Sequence, residues 1–178
     1  MPSRVSRVVV MTTLGLFCLL PAVQCARAAL GGAPMTPPAD ASISSQTVTP
    51  ATVMHAASSG AASAAAASAS AASSYTVRAT TLGNGTVVRE YLASDGTVFG
   101  IAWRGPQMPD LSDLLGTYAP QYLAALQAAR AARGGGHGPV VVEQSSLVVH
   151  SGGHMGALTG EAWLPQALPA GVSGSDIQ

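Results

Sequence analysis

The sequence contains no lysine, and all eight of its basic residues are arginines. Only 9% of its 178 residues are charged, so clusters of charge are scarce. Nucleic acid is therefore not an expected partner, because binding to phosphate backbones depends on clustered basic side chains. Electrostatic docking on anionic lipid is not expected for the same reason.

Cysteine is nearly absent as well, since Cys18 and Cys25 are the only two in the chain. Both lie in an N-terminal stretch that resembles a secretory signal. Once that stretch is removed, the mature protein has no disulfide, no thiolate nucleophile and no cysteine metal ligand.

The N-terminus has the three zones of a cleavable signal peptide. Arg4 and Arg7 supply positive charge, and the run Val8–Leu20 is apolar. That run is about a dozen residues long, shorter than the roughly 20 needed for a permanent membrane span. Small residues around Ala28 predict cleavage after it, with cleavage after Ala29 as the alternative. The mature form would keep five arginines against eight acidic residues, a net charge near −3.

Composition divides the rest of the chain into three parts. Residues 29–74 are dominated by Ala, Ser, Thr and Pro, which bury too little apolar area to offset the entropy of ordering the chain. We expect a flexible, disordered linker there. Residues 75–169 hold all tyrosines and tryptophans and are expected to form one globular domain. Residues 170–178 are expected to be a disordered tail.

Three strands open the predicted domain. Asn84-Gly85 and Asp95-Gly96 are tight-turn sequences, and β-prone residues flank them on both sides. In the third strand, Phe99, Ile101 and Trp103 alternate, which predicts that all three face one core. Gly100 and Ala102 would then face the other side, where another segment can pack closely or a bulge can occur.

A helical segment follows, with Asp110 as its predicted cap and a kink or a second helix at Pro120. Glycines from Gly134 end it. Residues 139–150 then predict one bent strand or a strand pair, with a turn at residues 151–153, and residues 157–164 predict a last strand. The order β-β-β-α-β-β indicates an α+β domain, a twisted antiparallel sheet with one kinked helix packed on a face.

Histidine offers one candidate for metal chemistry. His150, His154 and Met155, together with His137, could supply imidazole and thioether ligands to copper or zinc in an exported protein. Ordinary surface histidines are the alternative interpretation. No carboxylate lies close in sequence to orient either ring.

The other polar residues favour structural roles. Asp110 and Asp113 are accounted for by helix capping, and Glu90, Asp95 and Glu161 are single acids with no partner nearby in sequence. With no visible nucleophile–base pair and no cofactor motif, we expect a protein that is not an enzyme and binds no cofactor.

The corner after the third strand is the candidate interface. Trp103, Arg104 and Met108 stand close together there, and aromatic residues, arginine and methionine are enriched in protein interfaces. Trp103 is also a candidate core residue.

Several stretches together resemble a family of small exported bacterial proteins called DUF2844, a domain of unknown function. They are Ala29-Leu30-Gly31-Gly32, Tyr75-Thr76-Val77, Asn84-Gly85 with Val88-Arg89-Glu90-Tyr91, Asp95-Gly96 with Val98-Phe99-Gly100, Ala102-Trp103-Arg104-Gly105-Pro106, and Pro109-Asp110-Leu111 with Leu114-Leu115-Gly116. The resemblance implies export and a single domain, and it brings no activity, substrate or catalytic residue.

Together these features predict a periplasmic or secreted binding or accessory module of the bacterial cell envelope. Its expected partner is another envelope protein or envelope component. The mature form would have no permanent membrane anchor, and the alternative function is metal binding through His150, His154 and Met155.

Overall fold

A computed structural model describes residues 30–49, 73–135 and 138–178 of the protein. The predicted signal peptide with its cleavage site at Ala28, His137 and most of the Ala/Ser-rich stretch lie outside these ranges. The described strands and helices are β1 (Ser42–Val48), β2 (Tyr75–Thr81), β3 (Val87–Leu92), β4 (Val98–Gly105), α1 (Leu111–Leu115), α2 (Ala119–Ala132), β5 (Val140–Glu143), β6 (Val148–His154) and β7 (Ala157–Trp163).

All seven strands form one antiparallel sheet in the order β1-β2-β3-β4-β7-β6-β5. Consecutive strands pair up to β4, and the chain then passes through the helices and returns at the far edge with β5. The last strand, β7, lies between β4 and β6 and pairs with both. The predicted α+β class with an antiparallel sheet and a helical segment is confirmed, and the sheet has two more strands than predicted.

The turns of the first half follow from local chemistry. Gly85 and Gly96 both have positive φ, at 82° and 83°, a conformation that glycine adopts without a Cβ clash. At the second turn the Thr97 N–H donates to the Asp95 carboxylate over 2.9 Å, and this bond lowers the pKa of Asp95. The two hairpin turns are confirmed.

The residue pairing between β3 and β4 contains a bulge. Tyr91 pairs with Gly100 and Leu92 pairs with Val98, so Phe99 is an extra residue in β4. Alternation is therefore broken, and Phe99 packs on the face opposite Ile101. The prediction that Phe99 shares a face with Ile101 and Trp103 is wrong because of this bulge.

The helical segment consists of two α-helices joined by a short 3-10 turn at Gly116–Tyr118. Asp110 caps α1, and its carboxylate accepts from the Ser112 and Asp113 N–H groups, as predicted. Gly116, with φ 51° and ψ −119°, breaks the segment, whereas Pro120 lies in the first turn of α2, where no N–H is required.

The two faces of the sheet have separate cores. The helix-side core comprises Leu30, Val88, Ile101, Trp103, Leu114, Leu115, Tyr122, Leu126, Val149 and Ala162, with further buried neighbours. The tail-side core on the other face comprises Tyr75, Tyr91, Phe99, Ala102 and Ile177, with Trp163, Leu168 and Val172 packed against it. Within the described residues, neither helix has the length and hydropathy needed to cross a membrane.

The C-terminal residues are ordered by packing, which corrects the expectation of a disordered tail at 170–178. Ile177 is 0% exposed and lies over Gly100, where a Cβ would come within 2.6 Å of the Ile177 Cδ1 atom. Ser173 and Asp176 form a reciprocal capping box around a short 3-10 helix. The absence of a side chain at Gly100 makes room for this segment.

The structure also corrects the N-terminal boundary of the domain. Residues 42–48, expected to be linker, form β1 and pair with β2 along its full length. Leu30 is 1% exposed, and its N–H donates to the Leu114 carbonyl over 3.0 Å. The residues from Pro50 to Ala72, which hold most of the Ala/Ser-rich stretch, lie outside the described part.

A buried ion pair fixes part of this N-terminal segment. The Glu90 side chain is 0% exposed and accepts from the Arg78 Nε at 2.8 Å and from the Met35 N–H at 2.6 Å. Arg78 in turn donates to the Met35 carbonyl. The sequence shows Glu90 as a single acid, because Arg78 becomes its neighbour only through the pairing of β2 with β3.

Candidate binding site

A cleft of about 600 Å³ opens on the face of the sheet opposite the helices, beside the C-terminal segment. Alternation along each strand decides which side chains reach it, because neighbours in sequence face opposite sides of a sheet. Its lining includes Val87, Arg89, Ala102, Arg104, His150 and Glu161. The C-terminal segment, residues 170–178, packs on part of this face through the tail-side core, and the cleft lies beside it.

Strand pairing places five residues that line the cleft in a row across the sheet. Arg89 pairs with Ala102, Ala102 with Glu161, Glu161 with His150, and His150 with Val141. The row runs from β3 to β5, with a cation at one end and an acid–imidazole pair towards the other. Ala102, with its small side chain, lies between the two.

His150 is held on three sides. Its Nδ1 atom lies 3.2 Å from the Glu161 carboxylate, and its Nε2 atom lies 3.4 Å from the Glu143 carboxylate. The 3.4 Å contact between Nε2 and Glu143 does not have hydrogen-bond geometry. The Nε2 atom is therefore buried without a hydrogen-bond partner among the described residues. The His150 ring also contacts the Trp163 ring edge-on, with 5.2 Å between the two ring centroids. These contacts fix the imidazole as part of the cleft wall.

The opposite end of the row carries two arginines. Arg89 donates to the backbone oxygen of Gln178 over 2.7 Å, and the Tyr91 hydroxyl donates to the same oxygen over 2.8 Å. Arg104 is exposed and has no ion pair or hydrogen bond with the described part of the chain. This end of the cleft therefore binds an acceptor oxygen with one guanidinium and leaves the other available.

Burial also affects the two tyrosines beside this end. It raises the pKa of Tyr91, and the hydrogen bond to the Gln178 backbone oxygen offsets part of that rise. Burial is also the main cause of the raised pKa of Tyr75, to which Asp176 contributes. Both phenols stay protonated at neutral pH, so the Tyr91 hydroxyl serves as a donor there.

The predicted interface residues are separated by the structure. Trp103 is 2% exposed and belongs to the helix-side core, which corrects its place in the interface. Arg104 lines the cleft on the other face. Met108 is 42% exposed beyond the end of β4 and does not line the cleft.

The predicted metal site is not assembled. His150 and His154 lie on the extended strand β6, where four residues span roughly 13 Å. Met155 is 97% exposed at the hairpin tip, and His154 Nδ1 contacts the Met155 carbonyl oxygen at 3.1 Å. Among the described residues, no group of three or more His, Cys, Asp or Glu side chains could hold a metal ion. His137 lies outside the described ranges.

The sequence interpretation missed Arg89, Glu143 and Glu161 as site residues. The prediction of a turn at residues 151–153 is wrong, because the β6–β7 hairpin turns at Met155 and Gly156. Counting outward from that turn pairs His150 with Glu161. A prediction with the turn at Met155 and Gly156 would therefore have placed these two side chains next to each other. Gly152 and Gly153 belong to β6 instead.

Comparison with known proteins gives one match. The profile of a family described as a protein of unknown function, DUF2844, matches residues 26–177, nearly the whole chain. No curated protein and no solved structure matches the sequence. The matched range begins just before Leu30 and reaches Ile177, and both of these residues are buried in the fold. The chain therefore belongs to the DUF2844 family.

Proposed function

We propose that the protein is an exported, non-enzymatic binding module of the bacterial cell envelope, and that it binds its ligand in the cleft on the sheet face opposite the helices. The cleft itself carries the proposal. Its volume of about 600 Å³ falls within the roughly 300–1,000 Å³ typical of small-molecule sites. Its lining combines apolar side chains such as Val87 and Val141 with a few polar groups, as such sites do.

The arrangement of His150 favours binding over catalysis. A general base needs a ring nitrogen within reach of the substrate proton. In His150, Nδ1 faces Glu161, and Nε2 is buried and faces Glu143. His150 and Glu161 therefore form part of the cleft wall.

Export is supported by the sequence alone. Arg4 and Arg7, the apolar run Val8–Leu20 and the small residues before Ala29 form the pattern of a cleavable signal. N-terminal sequencing of the protein recovered from a periplasmic fraction should begin at Ala29 or Leu30. Recovery of the intact Met1 form from the cytoplasm would contradict export.

Ligand retention tests the cleft. The protein is isolated gently from the envelope fraction and its mass is measured under native conditions, where a bound small molecule adds a discrete mass. Thr159 pairs with Arg104 and with Gly152, so Thr159→Trp would place a large ring in the cleft. We expect this variant to lose the added mass.

Thr117→Trp is the matched control, because Thr117 is an exposed residue of the 3-10 turn between the helices. It should retain the added mass. Equal retention by both variants would place binding outside the cleft and refute the proposal.

A further inference from the structure

The two arginines of the cleft are close enough to act on one ligand. Ala102 pairs with Arg89, and Arg104 lies two residues further along β4 on the same face. Side chains at such diagonal positions on neighbouring strands start roughly 7–8 Å apart, within reach of long side chains. The β3–β4 end of the cleft thus presents two guanidinium groups.

The two acids nearest the cleft histidine are engaged with it. Glu161 lies 3.2 Å from His150, and Glu143 lies 3.4 Å from the same ring. Neither carboxylate forms an ion pair with Arg89 or Arg104 in the described part of the chain. The β3–β4 end therefore presents two arginines in a chain whose described residues carry five arginines against eight acidic side chains.

The protein's own backbone shows what this end accepts. The Gln178 oxygen occupies a position between the Arg89 guanidinium and the Tyr91 hydroxyl, at 2.7 and 2.8 Å. An acceptor oxygen is thus already bound by one of the two cations. Arg104 faces the open cleft with the same guanidinium group, and no acceptor oxygen of the described residues is bound to it.

We propose that the cleft binds a small organic anion, an acid group attached to an apolar body, with Arg104 pairing with the acid group. Planar guanidinium groups pair well with carboxylates and related oxyanions. Val87, Val141 and Pro139 supply apolar surface for the body of the ligand. This inference rests on the proposed binding function and names its ligand class.

Two fluorescent probes with one ring system test the inference. The anion 8-anilinonaphthalene-1-sulfonate and the neutral N-phenyl-1-naphthylamine differ in the sulfonate group, and both fluoresce more strongly in apolar sites. We expect the purified protein to bind the sulfonate more tightly, and decanoate to displace it where decan-1-ol does not.

The charge is then removed from one arginine at a time. Arg104→Gln should weaken sulfonate binding about tenfold or more, the loss expected for a hydrogen bond between charged groups, and leave the neutral probe unchanged. Arg130→Gln is the matched control, since Arg130 is exposed on α2. It should change neither affinity.

The outcomes separate this inference from the function on which it rests. If both probes bind and Arg104→Gln alters neither affinity, the cleft does not select anions and the inference is overturned, while the proposed binding function stands. If Thr159→Trp also leaves both affinities unchanged, the probes bind elsewhere and the cleft fails as a site. Failure of the sulfonate to bind at all likewise overturns the inference.

Discussion

Replacement of Ile177 by alanine should destabilise the protein by about 2–5 kcal/mol, the range for removing a large aliphatic side chain from a core. The side chain is 0% exposed and belongs to the tail-side core with Phe99 and Tyr91. Gly100, directly beneath it, has no side chain that could fill the space. We therefore expect a value within this range rather than the small effect typical of a chain end.

A second substitution makes the test specific to this contact. In Gly100→Ala the new Cβ would lie 2.6 Å from the Ile177 Cδ1 atom, which should cost about 1–3 kcal/mol through overpacking. In the Ile177→Ala background the same methyl group enters vacated space. The double variant should therefore be more stable than the sum of the single effects predicts, by at least about 1 kcal/mol.

Urea unfolding monitored by the fluorescence of Trp103 and Trp163 measures the free energy of unfolding. It is applied to the unmodified protein, the two single variants and the double variant. Ile43→Ala is the control, because it makes the same chemical change at a side chain that is 49% exposed, and it should cost less than about 1 kcal/mol. The reasoning fails if Ile177→Ala costs no more than this control and its effect adds to that of Gly100→Ala. The C-terminal residues would then be unpacked in solution.

Three further outcomes are expected. Glu90→Gln leaves the partly buried Arg78 without its counter-charge and should cost about 3 kcal/mol in urea unfolding; a loss under about 1 kcal/mol contradicts a stabilising ion pair at Glu90. Because burial raises the pKa values of Tyr75 and Tyr91 above 10.0, the stability that they contribute is complete below that pH and is lost as the pH rises through the raised values. The urea midpoint should fall above about pH 10 and fall less in the Tyr75→Phe/Tyr91→Phe variant; equal alkaline loss in both proteins refutes the assignment. In Gly160→Ala the new Cβ would lie 2.2 Å from the buried Trp103 ring, so thermal unfolding should show a loss of about 1–3 kcal/mol, and an unchanged melting temperature contradicts that packing.

Local chemistry predicted the elements whose cause is local. The turns at Gly85 and Gly96 need positive φ, and the cap at Asp110 needs a side-chain acceptor, so each can be identified from a few adjacent residues. The α+β class follows from the order of such elements. None of these features depends on a distant part of the chain.

The missed strand β1 has no such signal. Its residues are exposed on both faces or nearly so, and it therefore lacks the alternation of apolar and polar residues that marks a half-buried strand. It is stabilised by pairing with β2, so that Ser42 meets Thr81 and Val48 meets Tyr75. Such pairing over a long sequence separation cannot be identified from the composition of the strand itself.

The candidate site was missed because it depends on register. Counting outward from the turn at Gly96 without a bulge would place Arg89 opposite Ile101. The extra residue Phe99 shifts the partner by one position, to Ala102, and so completes the row that ends at His150. A single bulge that the sequence only weakly marks thus decides which polar side chains share the cleft.

The burial of Leu30 has a consequence for the timing of maturation. Leu30 lies two residues after the proposed cleavage position at Ala28, and its backbone N–H is bonded to Leu114. A peptidase that reads an extended chain needs that stretch free of the domain. If the chain is cleaved after Ala28, we therefore expect cleavage to come before Leu30 docks on the domain.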